Sequence, residues 1–517
     1  MTAKRQMFRS SMVVGIFSSL GSLTGILVEI SIAANLGLSK ASDTFYVAFT
    51  VPYIMTNLIS ATGQFSLVPF FSSLEAQHPE EEVWRGFSYV ANMVFLGLSA
   101  LALLGALGAP WLIRGIAPGF TMQQAELAAH LARWLFIIII PAGVAEIMRS
   151  FLFSRHRFAL PASANFFRNA TVVLSVLFGF QRFHYYSIIF GYLAGYLVQF
   201  AVLGGQLLIS FPVRYSVSFR GSGEAFRNLR GAGLTQMATA LSWQGVVIVE
   251  RIIASFLPPG TLTALAYGMK IMSTIAEVLA GSAGTAALPR LSMAVARKAA
   301  TEVRSALRDT LEISLALVAP SMVLCLMLSQ HIIRLFFERG RFTHEAASLM
   351  ALVFFYYCLG LLPYAAVRLM NFYLFARNDA AAFFRLAAFQ YAMNIGFDLF
   401  YVGVLHLGAK GIPLGMLTSV LLACGLAWRR DLGKVREAID RTLGIFALKV
   451  AAGCGLAALA IWGLSVWFSA PQNGLGNFIY LCITCGAGSL AYLLVLRVSG
   501  ILSIAQLRLL FERPAGS

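Results

Sequence analysis

The chain has 517 residues, of which 59% are hydrophobic and 12% charged, with mean hydropathy +0.77 and formal net charge +17. A soluble domain has about 45–50% apolar and about 25% charged residues, so a globular reading is excluded. The excess of Lys and Arg lies mostly on one side of the apolar runs, which also excludes a nucleic-acid partner.

Apolar runs of about 20 residues are membrane-helix candidates. Fourteen occur, at 11–36, 43–71, 86–112, 125–153, 160–180, 185–210, 230–257, 262–288, 309–329, 345–371, 380–405, 411–428, 444–468 and 477–498. The first is too long for a signal-peptide core and lacks an A-x-A site, so it reads as a retained span. The alternating pattern of an outer-membrane barrel is missing. With the N-terminus inside, most Lys and Arg of the connections fall on the cytoplasmic side and seven on the outer side. That bias places both termini in the cytoplasm. The fold expected is an all-α integral membrane protein.

Two stretches 222 residues apart share one spelling. Phe120-Thr121 is followed by Pro141 and then Phe151-Leu152-Phe153-x-Arg155. Phe342-Thr343 is followed, at the same spacings, by Pro363 and Tyr373-Leu374-Phe375-x-Arg377. Tyr46 with Pro69 and Tyr267 with Pro289 form a second pair, one residue different in length. Six spans separate the copies, so the repeat is parallel, and such molecules are usually transporters with a site between the halves. The expected organisation is an N-lobe at 1–210, a cytoplasmic linker at 211–229 and a C-lobe at 230–428. Residues 429–517 hold two appended spans and a tail.

Several spans are built to bend. Pro52, Pro141, Pro320 and Pro363 each remove a backbone hydrogen bond. Gly281 and Gly284 lie in a small-residue stretch of span 8, which reads as close packing or as a deformable wall. Span 2 is long enough to project beyond the hydrocarbon or to tilt.

Charges inside spans are costly and often mark function. Arg133, Arg149, Arg368 and Lys449 lie near span ends, where they can snorkel. Lys270 lies deeper, which leaves either an ion pair with Glu29 or Glu277 or a cation that meets an anionic headgroup. Asn394 and Asp398 share one helix face, and Glu250 is a candidate third ligand. Such a set suits a hard cation, a shared proton or a structural polar network. Asp43 opens span 2 and reads as an N-cap or a functional carboxylate. Cys482-x-x-Cys485 is mid-span with no second pair, and the scattered His show no metal spacing. No cofactor and no catalytic constellation is expected.

Three segments carry a resemblance. They are Val249-Glu250-Arg251 through Ala264-Leu265-Ala266-Tyr267, Asp43-Thr44-Phe45 through Pro52, and Phe337 through Gly340-Arg341-Phe342-Thr343. Together they resemble the MurJ (MviN) family, within the multidrug/oligosaccharidyl-lipid/polysaccharide exporter superfamily, over about residues 10 to 500. The resemblance implies a flippase in the bacterial inner membrane that moves an undecaprenyl-diphosphate-linked saccharide, lipid II in the type case. Its partners would be that lipid-linked glycan, membrane lipids and cell-wall or polysaccharide assembly enzymes. It places Lys270 where the family has a cavity arginine, and Asp43 on the family's aspartate. Glu250, Asn394 and Asp398 fall on positions that bind sodium in some members, so sodium or proton coupling is implied.

The family's first helix carries two arginines in an S-R-V-L-G-x-x-R-D pattern. Here Gly21 through Val28 contain neither, and Glu29 fills the acidic slot. The family's helix 2 arginine is Thr56. Those arginines are expected to fork onto diphosphate oxygens. The expected substrate-contacting set is thus Lys270, Glu29, Asp43, Thr56 and Ser273. An exopolysaccharide repeat-unit flippase and a cation-coupled multidrug antiporter are the alternatives, with a transport-dead scaffold third.

Overall fold

A computed structural model describes residues 3–217, 219, 244–297, 299–377, 379–430, 441–468 and 474–501. Much of the linker, the start of span 7 and the C-terminal tail lie outside the described residues. The elements are all helical. In chain order they are α1 (Ala3–Leu36), α2 (Lys40–Thr62), α3 (Val68–Gln77), α4 (Glu80–Ile116), α5 (Met122–Leu135) and α6 (Ile139–Ser154). There follow α7 (Ala159–Phe183), α8 (Tyr185–Ser210), α9 (244–254), α10 (Thr261–Ala276), α11 (Ser282–Ala296) and α12 (Ala300–Phe337). The chain ends with α13 (His344–Leu359), α14 (Leu361–Ala376), α15 (Ala380–Leu399), α16 (Gly411–Arg430), α17 (Arg441–Trp467) and α18 (Gly474–Val498).

Ten helices among the described residues are long and apolar enough to cross a membrane, or eleven when the bent pair α13–α14 counts as one span. Three of the fourteen expected spans fall outside that count. Two are the more polar helices α7, with Arg168 and Arg182, and α15, with Arg385 and Asp398; the third is α9, described only from residue 244.

The repeated spelling is helix punctuation. Thr121 caps α5 by accepting from Gln124 N, and Thr343 caps α13 by accepting from Ala346 N. Pro141 has no N–H to give the carbonyl of Ile137, and a 3₁₀ turn at Phe136–Ile138 separates α5 from α6. Pro363 does the same to Leu359, and α13 and α14 meet at 49°. Both second segments end alike. Arg155 N and Arg377 N donate to Phe151 O and Tyr373 O, while Arg157 N and Asp379 N reach back to Leu152 O and Leu374 O. The Arg155 guanidinium then lies 5.2 Å from the Phe151 ring centre, and that of Arg377 lies 5.6 Å from the Tyr373 ring centre.

Span 2 is not one straight rod. A π-helical turn at Gly63–Leu67 joins α2 to α3, and a second at Glu277–Gly281 joins α10 to α11. A π turn widens the helix locally and is common at functional sites. The second falls in the small-residue stretch of span 8.

The chain divides into two compact units. The first holds residues 1–266 with 339–342; the second holds 267–338 with 343–517. The core of the first unit is aromatic: Trp84, Phe71 and Phe151 are fully buried, and the Trp84 and Phe151 rings lie 5.1 Å apart. In the same unit, Arg341 N donates to Ala34 O at 2.8 Å. Gly340 makes this approach with φ +60, and a Cβ there would overlap Ala34 O. In the second unit α17 and α18 pack on α12, where Tyr492 Oη donates to Ala316 O at 2.8 Å. Large side chains such as Leu104, Leu107 and Trp111 of α4 stand exposed, as lipid contact requires.

Candidate functional site

In the first unit, Asp43 is the most fully engaged of the expected residues. It is buried near the start of α2 and accepts from Gly260 N at 2.6 Å, Thr263 N at 2.9 Å and Thr263 Oγ1 at 2.7 Å. Those amides belong to the first turn of α10, whose N-terminal dipole favours a negative charge. Ser39, not Asp43, caps α2 itself. Asp43 therefore caps a helix 217 residues away in sequence.

Glu29 is half-buried on α1 and accepts from Tyr46 Oη. Thr56 is buried, and its hydroxyl donates to Tyr53 O at 2.9 Å within its own helix. A threonine bonded that way keeps its proton from a ligand, so it does not replace an arginine fork.

In the second unit, Lys270 is half-buried on α10. Its carbonyl accepts from Ser273 Oγ at 3.1 Å and Thr274 Oγ1 at 2.8 Å. Ser273 is thus turned back on the backbone. Among the described residues no hydrogen bond or ion pair to the Lys270 ammonium is formed within its own unit, where Glu277 was one partner the sequence offered. Glu277 is exposed in the π turn. Near it stands Arg368 of α14, half-buried. Its Nη2 lies 3.7 Å from where a Cβ on Gly281 would sit.

Asn394 and Asp398 are buried on α15, and Asn394 Nδ2 donates to Asp398 Oδ2 at 2.7 Å. Asp398 also fills the space a side chain on Gly415 would need. The amide turns a donor, not an oxygen, toward the carboxylate. Glu250 is half-buried on α9 and belongs to the first unit, whereas the Asn–Asp pair belongs to the second. Among the described residues no three His, Cys, Asp or Glu side chains converge.

The sequence passed over a network in the first unit. Glu146 of α6 is buried, 3.1 Å from Arg149 Nη1 and 3.3 Å from Ser60 Oγ. Arg149 Nη2 donates to Asn165 Oδ1 at 2.9 Å. Arg149, which the sequence offered as able to snorkel, is half-buried and held by Glu146 and Asn165. The signal was present in the i,i+3 spacing of Glu146 and Arg149. Gly63 permits the network, since a Cβ there would lie 2.5 Å from Glu146 Cγ.

With the geometry known, the comparisons decide the family. A family model described as "Lipid II flippase MurJ" matches residues 32–481. The chain belongs to the MurJ family. A probable lipid II flippase MurJ from Thermotoga maritima is 28% identical over 406 residues, covering 78% of this chain and 81% of its own. One from Rhizobium meliloti is 26% identical and covers 97% and 95%. A lipid II flippase MurJ from Burkholderia cenocepacia is 25% identical and covers 88% and 90%. Among solved structures, "Lipid II flippase MurJ, inward closed conformation" superposes with TM-score 0.80 at 20% identity, covering 94% of this chain and 98% of that one. An inward-facing multidrug transporter of the MATE family superposes at 0.66 with 14% identity, covering 84% and 99%. These last two likenesses show the fold alone.

Proposed function

We propose that this protein is a flippase that carries an undecaprenyl-diphosphate-linked saccharide, lipid II or a similar peptidoglycan precursor, across the bacterial inner membrane by alternating access. The observation that carries the reading is Lys270, an ammonium inside a candidate span with no partner among the described residues of its unit, in a chain of the MurJ family. A central charge costs roughly 2.5–3.5 kcal/mol to insert. A diphosphate offsets that cost with charge-assisted hydrogen bonds to the ammonium. Asp43 serves this cycle as a latch that holds or releases the first turn of α10, and Glu29 stands where the saccharide is handled.

The same reading keeps fourteen spans with both termini cytoplasmic, a carrier that makes and breaks no covalent bond, and assembly enzymes as neighbours. The first and second lobes would be 1–210 and 230–428. Two observations set the multidrug antiporter aside: α17 and α18 follow the twelve spans of that branch, and the MATE likeness is weaker than the MurJ one.

Purified protein in proteoliposomes tests the reading. Flipping of a fluorescent lipid-linked saccharide is expected in wild type. Lys270→Ala should slow it at least about tenfold, the worth of one charge-assisted contact, and Lys270→Arg should keep most of it. Unchanged flipping by Lys270→Ala would remove the headgroup role.

A further inference from the structure

Each unit carries a joint that neither the headgroup contact nor the latch at Asp43 uses. In the first unit the joint is the π turn at Gly63–Leu67, between α2 and α3. Val68 N donates to Gly63 O, five residues back, and Pro69 beyond it has no N–H to restore the α-helical pattern. Packing fixes α3: Phe71 is fully buried, and its ring centre lies 5.3 Å from that of Phe151 on α6. α2 lies on the other side of the turn. Glu146 of α6 sits against the turn itself. A Cβ on Gly63 would lie 2.5 Å from Glu146 Cγ and 2.8 Å from its Oε1, so a glycine is what leaves room for this carboxylate. Ser60 and Arg149 donate to the same Glu146 oxygen, and Asn165 of α7 holds Arg149.

The second unit repeats the arrangement with different chemistry. Ser60 and Gly63 stand 14 and 17 residues after Tyr46, and Gly281 and Gly284 stand 14 and 17 after Tyr267. Gly281 closes the π turn between α10 and α11. Glu146 and Arg368 each stand five residues after the proline of their span. Arg368 approaches Gly281 as Glu146 approaches Ser60. Phe372 fills the space at Gly284, its Cδ2 2.4 Å from where a Cβ would sit. The slot persists while its filling changes from a carboxylate to a phenyl ring, which marks the slot as the part both copies need.

We propose that these joints are hinges at which α2 and α10 pivot during transport, and that Glu146 and Phe372 are positioning residues, each the stop of its hinge. The inference rests on the flippase reading. A π turn holds an extra residue, and passing it along the helix slides one side past the other by about 1.5 Å and rotates it by about 100°. A side chain seated in the glycine slot blocks that passage until it withdraws. A half-withdrawn side chain overlaps the backbone, so the stop has two positions rather than a range. In the second unit the helix so moved carries Lys270.

The test is flipping of the fluorescent lipid-linked saccharide by full-length protein in proteoliposomes, read as maximal rate and as half-saturating mole fraction of lipid. Gly63→Ala jams the stop. It should lower the maximal rate about tenfold, within the range an overpacked site costs, and leave half-saturation within about twofold. Glu146→Gln keeps the shape and one accepting oxygen, and should flip near the wild-type rate. Should Gly63→Ala fail to fold, Gly284→Ala, which meets Phe372, carries the same expectation. A wild-type rate in Gly63→Ala overturns the hinge, as does a parallel loss of rate and half-saturation. A loss in Glu146→Gln equal to that in Gly63→Ala also overturns it, because charge rather than fit would then be the working element. Each of these results leaves the flippase reading standing. If wild type flips no lipid, that reading fails and the hinge with it.

Discussion

The segments α5–α6 and α13–α14 have the same punctuation and opposite chemistry. Both open on a threonine cap, break at a proline and close under an arginine stacked on an aromatic ring. One turn and a half after the proline they diverge. The first has Glu146, buried, paired with the half-buried Arg149. The second has, at the matching positions, Arg368 and Asn371. The first copy neutralises its charge internally. The second leaves Arg368 without a hydrogen bond or ion pair among the described residues. Backbone geometry is thus inherited through caps and breaks, which ask little of neighbouring side chains. Charge is free to change wherever a partner changes with it.

Three experiments bear on that contrast. The largest effect should come from Glu146→Ala, which strands Arg149 in a buried site and should cost about 3–5 kcal/mol in thermal unfolding. Removing Arg149 as well should recover part of that. Arg368→Ala, by contrast, should shift stability by no more than about 0.5 kcal/mol. Comparable losses at the two positions would show that Arg368 is as tightly paired as Glu146. Next comes Asp43→Ala, which orphans the donors at the start of α10 and should lower stability by about 2–3 kcal/mol. Asp43→Asn should retain part of it, because an amide oxygen still accepts. The smallest effect belongs to the caps: Thr121→Ala and Thr343→Ala should each cost about 1 kcal/mol, and equally. A clear inequality, read from paired melting curves, would mean that the two copies are not supported alike.

Much of this was legible in the sequence. The apolar runs located the helices, and the spelling around Pro141 and Pro363 announced the breaks, because proline acts through its own missing N–H. The π turns were visible only as glycine-rich text in span 8 and not at all in span 2. Site chemistry was harder, because it depends on partners far apart in the chain. Asp43 lies beside Thr44 in sequence but spends its oxygens on Gly260 and Thr263. Asn394 and Asp398 are a turn apart, as the spacing implied, and they bond each other. Arg149 looked like an end residue able to reach water, and Asn165 turned it inward. Lys270 stood out in the sequence as a deep charge, and Glu277 in the same unit is not bonded to it.

The cap at Asp43 also has a kinetic consequence. Its three hydrogen bonds converge on one turn of α10, so they cannot be loosened one at a time without exposing the others. Detachment of that turn should therefore be cooperative. Such a clasp behaves as a ratchet pawl: it stays seated through small thermal excursions and lets go all at once. The helix it holds runs on into the π turn at Glu277–Gly281, where the backbone is wound most loosely. Slack at one end and a clasp at the other would make the dwell time of this carrier, rather than its affinity, the quantity most sensitive to one carboxylate.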